Sequence, residues 1–270
     1  MSSPIHSEER AEDSTCSAVV MFSSGIGSWA AAKRYAEKHG TDGMVLLFAD
    51  TLIEDEDNYR FLHDAADNIG AKLVIVADGR TPGEVMRDAR IIGNSRIDPC
   101  SNVLKRKLLN KWAEENCTDE TPRIFGIDWT ESHRFERMKA RSPEKNYVAP
   151  LCDAPYLTKG DLIQWAKREG VVAPRMYSMG FPHANCGGFC VKAGQATFKL
   201  LLNNFPERYA EHEAWEEEMR EMVGDHSIMT DRSGDGKKKV LTMREFRRRI
   251  EDQEPIDEFE FGGCACALPL

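Results

Sequence analysis

The sequence predicts an α/β fold: a parallel sheet with helices on both faces, followed by a C-terminal helical extension that carries cysteines. Three observations predict it. Short apolar, β-branched runs alternate with helical stretches of about 10 to 15 residues through the first two thirds of the chain, the pattern of β-α-β crossovers. A loop of serines and glycines at 23–28 separates the first such run from the first helical stretch. After Pro182 the alternation stops, and the chain becomes helical and acidic, with close pairs of cysteines.

Residues 1–16 are polar and acidic, without the apolar core of a secretory signal, and read as a flexible tail. The first strand is expected over 17–22, and a helix over 29–39 ends at Gly40. A second strand over 44–48 leads into Ala49-Asp50-Thr51 and a helix over 56–69 stopped by Gly70, and a third strand follows over 72–77. Helical periodicity returns over 101–116, a fourth strand is expected over 123–127, and a helix over 158–169 has Thr158 as its N-cap and Asp161 at its N3 position. These elements make a Rossmann-like domain over 17–181. The extension, 182–270, is expected to hold helices over 194–203, 207–223 and 243–250, with a turn at Ser233-Gly234-Asp235-Gly236 between two strands.

No apolar run approaches the roughly 18 residues of a membrane span, so a membrane protein is not expected. A cytoplasmic location is. The formal net charge of -9 and pI near 5.4 argue against a broadly basic nucleic-acid surface. The triplets 105–107, 237–239 and 247–249 are read as solvated helix and turn residues before they are read as a nucleic-acid track. A chain of this length buries roughly three quarters of its unfolded surface without cross-links. Its eight cysteines therefore call for a chemical explanation, and in a reducing compartment metal ligation and thiol reactivity come before structural disulfides.

A Ser- and Gly-rich loop between a strand and a helix lets backbone N–H groups approach an anion, and the helix N-terminus adds partial positive charge. Ser23, Ser24, Gly25, Gly27 and Ser28 form such a loop, which lacks the Gly-Lys-Ser/Thr of a Walker A motif. Lys105 and Arg134 have the charge to contact phosphate, with surface solvation as the plainer reading. Asp50 suits an adenosine or metal contact, or a helix N-cap. Arg96, His133 and His183 are weaker polar candidates. Cys186 and Cys190, Cys264 and Cys266, and Cys100 together supply enough thiolates for zinc or a [4Fe-4S] cluster, with a redox dithiol or inert thiols as the other readings. Cys16, Cys117 and Cys152 read as incidental or buried thiols.

The motifs occur in an order that resembles the PAPS reductase-like family of the adenine nucleotide alpha-hydrolase (PP-loop ATP pyrophosphatase) superfamily. Ser23-Ser24-Gly25-Ile26-Gly27-Ser28 resembles the superfamily's S-G-G-x-D-S pyrophosphate loop. Asp50-Thr51 looks like the element after its second strand, and Cys100 with Lys105 like its Cys-x-x-x-Lys segment. Gly126-Ile127 with Glu131-Ser132-x-Arg134 is similar to its element after the fourth strand. Pro150-Leu151, Tyr177-x-x-Gly180-Phe181-Pro182 and Cys186 to Cys190 complete the series, which covers residues 17–191. The resemblance implies a HUP-type fold and an adenine nucleotide, ATP or a sulfonucleotide, with Mg2+. It places Ser23, Ser24, Gly25, Gly27, Ser28, Asp50, Thr51, Lys105, Gly126 and Arg134 at the nucleotide. It places Cys100, Cys186 and Cys190 at a metal group, a [4Fe-4S] cluster or alternatively zinc, with Cys264 or Cys266 as fourth ligand and as the reactive cysteines.

Two departures qualify the resemblance. Gly27 stands where the superfamily loop has Asp, and the chain ends in Cys264-Ala-Cys266 instead of Glu-Cys-Gly-(Ile/Leu)-His. The expected activity is ATP-dependent adenylation coupled to sulfur transfer, with a tRNA or nucleobase as acceptor. The alternatives are a sulfonucleotide reductase and a non-catalytic nucleotide- and metal-binding module of a larger complex.

Overall fold

A computed structural model describes residues 16–94, 96–231 and 239–262. Cys264, Cys266 and the expected turn at 233–236 lie outside the described residues. Five strands, β1 (Ala18–Met21), β2 (Met44–Asp50), β3 (Lys72–Ala77), β4 (Arg123–Ile124) and β5 (Tyr147–Val148), form a parallel sheet in the order β3-β2-β1-β4-β5. Val19 pairs with Val45 on one side and with Arg123 on the other, so β1 is central.

The strands have side chains that alternate between two apolar layers. Val20, Leu46, Phe48 and Ile124 face the layer filled by α1 (Ile26–His39), α2 (Glu56–Ile69) and α6 (Lys159–Arg168). Val19, Met21, Val45 and Leu47 face the other, where α4 (Lys107–Asn116) and α5 (Ser132–Arg141) pack through Leu109, Ala113, Phe135 and Met138. Both faces are covered, which is why these strands read as continuous apolar runs.

Local signals set the helix ends. The Asp55 carboxylate accepts from the Asp57 amide at the start of α2, and Gly70 takes the left-handed conformation that closes it (φ 75°). Thr158 and Asp161 form a reciprocal capping box at α6. The helix expected over 101–116 is two pieces, a π-helical turn at Ser101–Arg106 that runs directly into α4. The sequence reading passed over α3 (Pro82–Ala89), α5 and β5, which are short or strongly charged. The fourth strand is also shorter than expected.

The C-terminal part contains α7 (Arg175–Ser178), α8 (Gln195–Asn204), α9 (Pro206–Val223), the hairpin β6 (Met229–Asp231) with β7 (Lys239–Leu241), and α10 (Met243–Glu251). Its core joins Phe198, Leu201, Tyr209, Met219 and Phe246 to Met86, Ile92, Met176 and Phe181, so it spans the expected boundary at 182. The acidic face of α9 is partly internal. Glu216 is fully buried and accepts from the Ile228 amide at 3.1 Å and the Met243 amide at 2.6 Å, tying hairpin and α10 to α9. Arg247, Arg248 and Arg249 are all engaged in ion pairs, with Glu213, Glu245 and Asp231 among their partners. No helix of the described residues is long and apolar enough to cross a membrane.

Candidate functional site

The chain leaves β1 through Ser23, Ser24 and Gly25 and enters α1 at Ile26. Ser24 sits at φ 55° and is fully buried, its hydroxyl donating to the Asn58 carbonyl at 2.9 Å. This left-handed residue turns the following backbone amides inward. The Ser28 hydroxyl oxygen gathers the N–H groups of Ser23 and Gly25, each at 3.3 Å, and the Ile26 N–H donates to the Tyr177 hydroxyl at 3.1 Å. These amides thus converge at a helix N-terminus on the Ser28 and Tyr177 hydroxyls, where the helix dipole favours negative charge.

Gly126, just beyond β4, makes this geometry possible. A Cβ there would lie 2.6 Å from the Ser28 amide nitrogen and 2.7 Å from the Gly27 carbonyl carbon. Only glycine lets β4 and the first turn of α1 approach so closely. A side chain at Gly27 would in turn meet the Gly126 carbonyl at 3.1 Å.

Strand order reverses between β1 and β4, and the crevice outside the carboxyl ends of such strands is where ligands bind in open α/β sheets. A cleft of about 180 Å³ lies there. Its walls carry Lys105, Arg134 and Lys159 as cations and Asp128 and Glu131 as carboxylates, with Tyr177, His183 and Asn185 across the mouth. Arg134 is ion-paired to Glu131. Lys159 donates to the Pro182 carbonyl at 2.5 Å, and burial pushes its ammonium below the usual lysine range.

A second, small cavity adjoins the cleft and is lined by Cys100, Cys186, Cys190, Thr51, Asp98 and Lys105 among others. Cys100 precedes the π-helical turn, while Cys186 and Cys190 come from the loop before α8. Cys186 takes a left-handed conformation (φ 53°), as does Gly187 (φ 57°), where a Cβ would meet the Ile53 carbonyl at 2.6 Å. Such backbone persists only where its surroundings over-determine it. Here the Cys186 N–H donates to Glu54 Oε2 at 2.5 Å, and Arg208 of α9 donates to the Gly187 carbonyl at 2.7 Å. His212 of α9 stacks on Phe189 with ring centroids 3.6 Å apart. Burial, together with the Arg208 charge, pushes the His212 pKa down to about 4. The imidazole is therefore neutral at physiological pH.

Glu54 and Lys105 form a buried pair at 3.7 Å, and the Lys105 ammonium also donates to Cys186 Sγ at 3.7 Å. Burial raises the Glu54 pKa, while Lys105, the Cys186 amide and the Thr51 hydroxyl act against that rise. Lys105 lines both the cleft and the cysteine cavity.

The expected residues distribute as follows. Ser23, Gly25, Gly27, Ser28, Lys105, Gly126 and Arg134 line the cleft, as does His183, while Ser24 supports the loop from beneath. Asp50 does not line it: one carboxylate oxygen accepts from the Leu52 amide and the Tyr59 hydroxyl, both at 2.8 Å. Thr51 turns to the cysteine cavity and donates to Glu54 at 3.0 Å. Cys100, Cys186 and Cys190 share that cavity. Among the described residues, no three His, Cys, Asp or Glu side chains stand close enough together to hold a single metal ion. The three expected metal-ligating thiols line one cavity without forming such a group. Sequence reasoning missed Glu54, Asp128, Lys159 and the α9 residues Arg208 and His212; the first three sit near recognised motifs, but nothing in the spacing of α9 points at the cysteine loop.

Fold and site together define a doubly wound α/β protein with a Ser–Gly loop at its switch point and a cysteine-lined cavity beside it. No protein-family model matches the chain. An uncharacterized protein of Methanocaldococcus jannaschii is 26% identical over 214 residues, which are 78% of this chain and 43% of that protein, so the chain spans less than half its relative's length. Among solved structures, the phosphoadenylyl-sulfate (PAPS) reductase of Candida auris, in complex with phosphate, is similar over 61% of this chain and 77% of its own, at 14% identity and a TM-score of 0.41.

Proposed function

We propose that the protein is an enzyme that binds an adenine nucleotide, ATP with Mg2+, at the Ser–Gly loop, adenylates an acceptor and delivers sulfur to it at the neighbouring cysteine cavity. The observation that carries this reading is the shared wall: Lys105 borders both the loop cleft and the cavity of Cys100, Cys186 and Cys190. An activated intermediate formed in one compartment is then next to thiols in the other. The loop amides, the α1 dipole and the cations Arg134 and Lys159 would hold the phosphates and stabilise charge on departing pyrophosphate. Asp128 and Glu131 supply carboxylates to the same cleft. Adenylation joins an acceptor oxygen to the α-phosphorus and releases pyrophosphate; incoming sulfur then replaces that oxygen, and AMP leaves.

Cys100, Cys186 and Cys190, with Cys264 or Cys266 as a fourth thiol, would hold a [4Fe-4S] cluster or zinc. The backbone before these last cysteines supports the assignment. Gly262 pairs with Ala193, and the Phe261 and Glu260 carbonyls accept from the Gly194 and Ala196 amides at the start of α8. Cys264 follows two positions later in the sequence. When bound, such a group would supply a thiophilic metal centre for a sulfur donor. The acceptor class is a nucleobase, free or in a tRNA. Trp129, directly after Asp128, is 41% exposed and pairs with Tyr156, 62% exposed, at 5.7 Å, a surface on which a base can stack.

Anaerobic purification followed by metal and sulfide analysis, together with pyrophosphate release from ATP, tests the reading. A brown protein that loses its metal in Cys100→Ser, Cys186→Ser and Cys190→Ser variants, and that binds ATP, is expected. A metal-free protein that binds PAPS and not ATP would refute it in favour of a sulfonucleotide reductase.

A further inference from the structure

The arginines of α10 are neutralised within the fold, by Glu213, Glu245 and Asp231 among others. Those of α5 are not. This helix holds Arg134, Arg137, Lys139 and Arg141 against one carboxylate, Glu136, in a chain whose formal net charge is -9. Phe135 and Met138 turn inward to the sheet, which leaves Arg137, Lys139 and Arg141 exposed. Arg137 donates to the His133 carbonyl of its own helix at 3.4 Å and Lys139 stands 5.5 Å over the Phe135 ring. Among the described residues no carboxylate forms an ion pair with Arg137, Lys139 or Arg141. Arg134, Arg137 and Arg141 share one stripe of the helix, neighbours lying about one turn, ~5 Å, apart. Arg134 borders the cleft, so the stripe runs from the cleft wall outward. At the cleft end of α5, the turn Trp129–Glu131 exposes the Trp129 ring, 5.7 Å from that of Tyr156.

We infer that this surface docks the loop of a folded RNA, the Trp129–Tyr156 pair taking an unstacked base and the α5 stripe taking phosphates of the strand that leads to it. This rests on the proposed function for the acceptor's chemistry and narrows the acceptor from any nucleobase to one held in an RNA. Charge and aromatic faces together select the occupant. A free base carries no phosphate, and a helix of ten residues is about 15 Å long, so the cations in its last two turns have no role toward a base in the cleft. They suit a polyanion. An acidic peptide would satisfy the cations but leave the aromatic faces unused, whereas bases stack on such faces whatever their identity. Loops of folded RNA present bases already unstacked, while a duplex must first be opened. The negative charge of the chain as a whole repels a polyanion, which confines binding to this face.

The test is fluorescence anisotropy of a fluorescein-labelled RNA hairpin titrated with the full-length protein over a series of salt concentrations. No ATP is present, so failure of docking and failure of adenylation are seen separately. Each phosphate contact on a single strand contributes about -0.7 to the slope of log affinity against log salt. Arg137→Ala/Arg141→Ala is therefore expected to flatten the wild-type slope by about 1.4, and Arg137→Lys/Arg141→Lys to restore it, with ATP affinity, measured separately, unchanged in both. Trp129→Ala is expected to weaken binding roughly tenfold with the slope unaltered. Arg248→Ala, which removes an ion-paired cation of α10, is expected to change neither. No binding of the hairpin by the wild-type protein at low salt, a slope unaffected by the double alanine variant, or equal binding of single-stranded DNA, loopless duplex RNA or polyglutamate would overturn the proposal. The wild-type comparison of these four probes decides the matter even where a variant folds poorly.

Discussion

Gly126→Ala isolates the contact on which the Ser–Gly loop depends. The new Cβ would sit 2.6 Å from the Ser28 nitrogen and 2.8 Å from the Ser28 Cα, against an ordinary contact of at least 3.4 Å, so the first turn of α1 must retreat by about 0.8 Å. The clashing atoms are backbone on both sides, and no side chain can swing away to absorb the strain. Overpacking of this kind costs about 1 to 3 kcal/mol of stability. The same shift spreads the donors of Ser23, Gly25 and Ile26, whose bonds to Ser28 and Tyr177 are already 3.1 to 3.3 Å long. Hydrogen bonds to a charged phosphate contribute about 1.5 to 3 kcal/mol each, so weakening one of them lowers nucleotide affinity roughly tenfold or more. Equilibrium ATP titration, with urea unfolding on the same samples, measures both effects. An Ala variant with wild-type affinity and stability would refute the claim that β4 and α1 are locked together at this point.

Two further outcomes follow from buried carboxylates. Glu216→Ala leaves the Ile228 and Met243 amides without their acceptor, and a loss of about 2 to 4 kcal/mol is expected in urea unfolding; a loss under 0.5 kcal/mol would mean that the amides find other partners. Burial raises the cost of ionising Asp55, but Arg175, Arg208 and the Asp57 amide outweigh it, so its folded pKa lies below the ordinary value. Its stabilising contribution is therefore complete above the unfolded pKa of about 3.9 and disappears as pH falls through the lower folded value. The stability gap between wild type and Asp55→Asn should be constant from pH 7 to 5 and narrow progressively as pH falls below about 4, and a gap that stays unchanged down to about pH 2 would contradict the assignment.

The sequence by itself determined the crossover domain and the cation and cysteine positions that face its switch point. Those signals are local: a β-branched run of four to seven residues, a glycine after a helix, a Thr-x-x-Asp capping box, serines and glycines between strand and helix. Each is decided by neighbours within one turn, and β2, α2, β3 and α6 appeared within two residues of their expected ends. The strands β4 and β5 have two residues each and carry too little period to read. Tertiary structure alone decided that Asp50 serves a turn and Tyr59, that Thr51 belongs to the cysteine cavity, and that Lys105 separates two compartments. It also decided that the charged triplet 247–249 is spent on ion pairs. All of these depend on which distant segments share a surface, and a buried charge or thiol takes its chemistry from those partners.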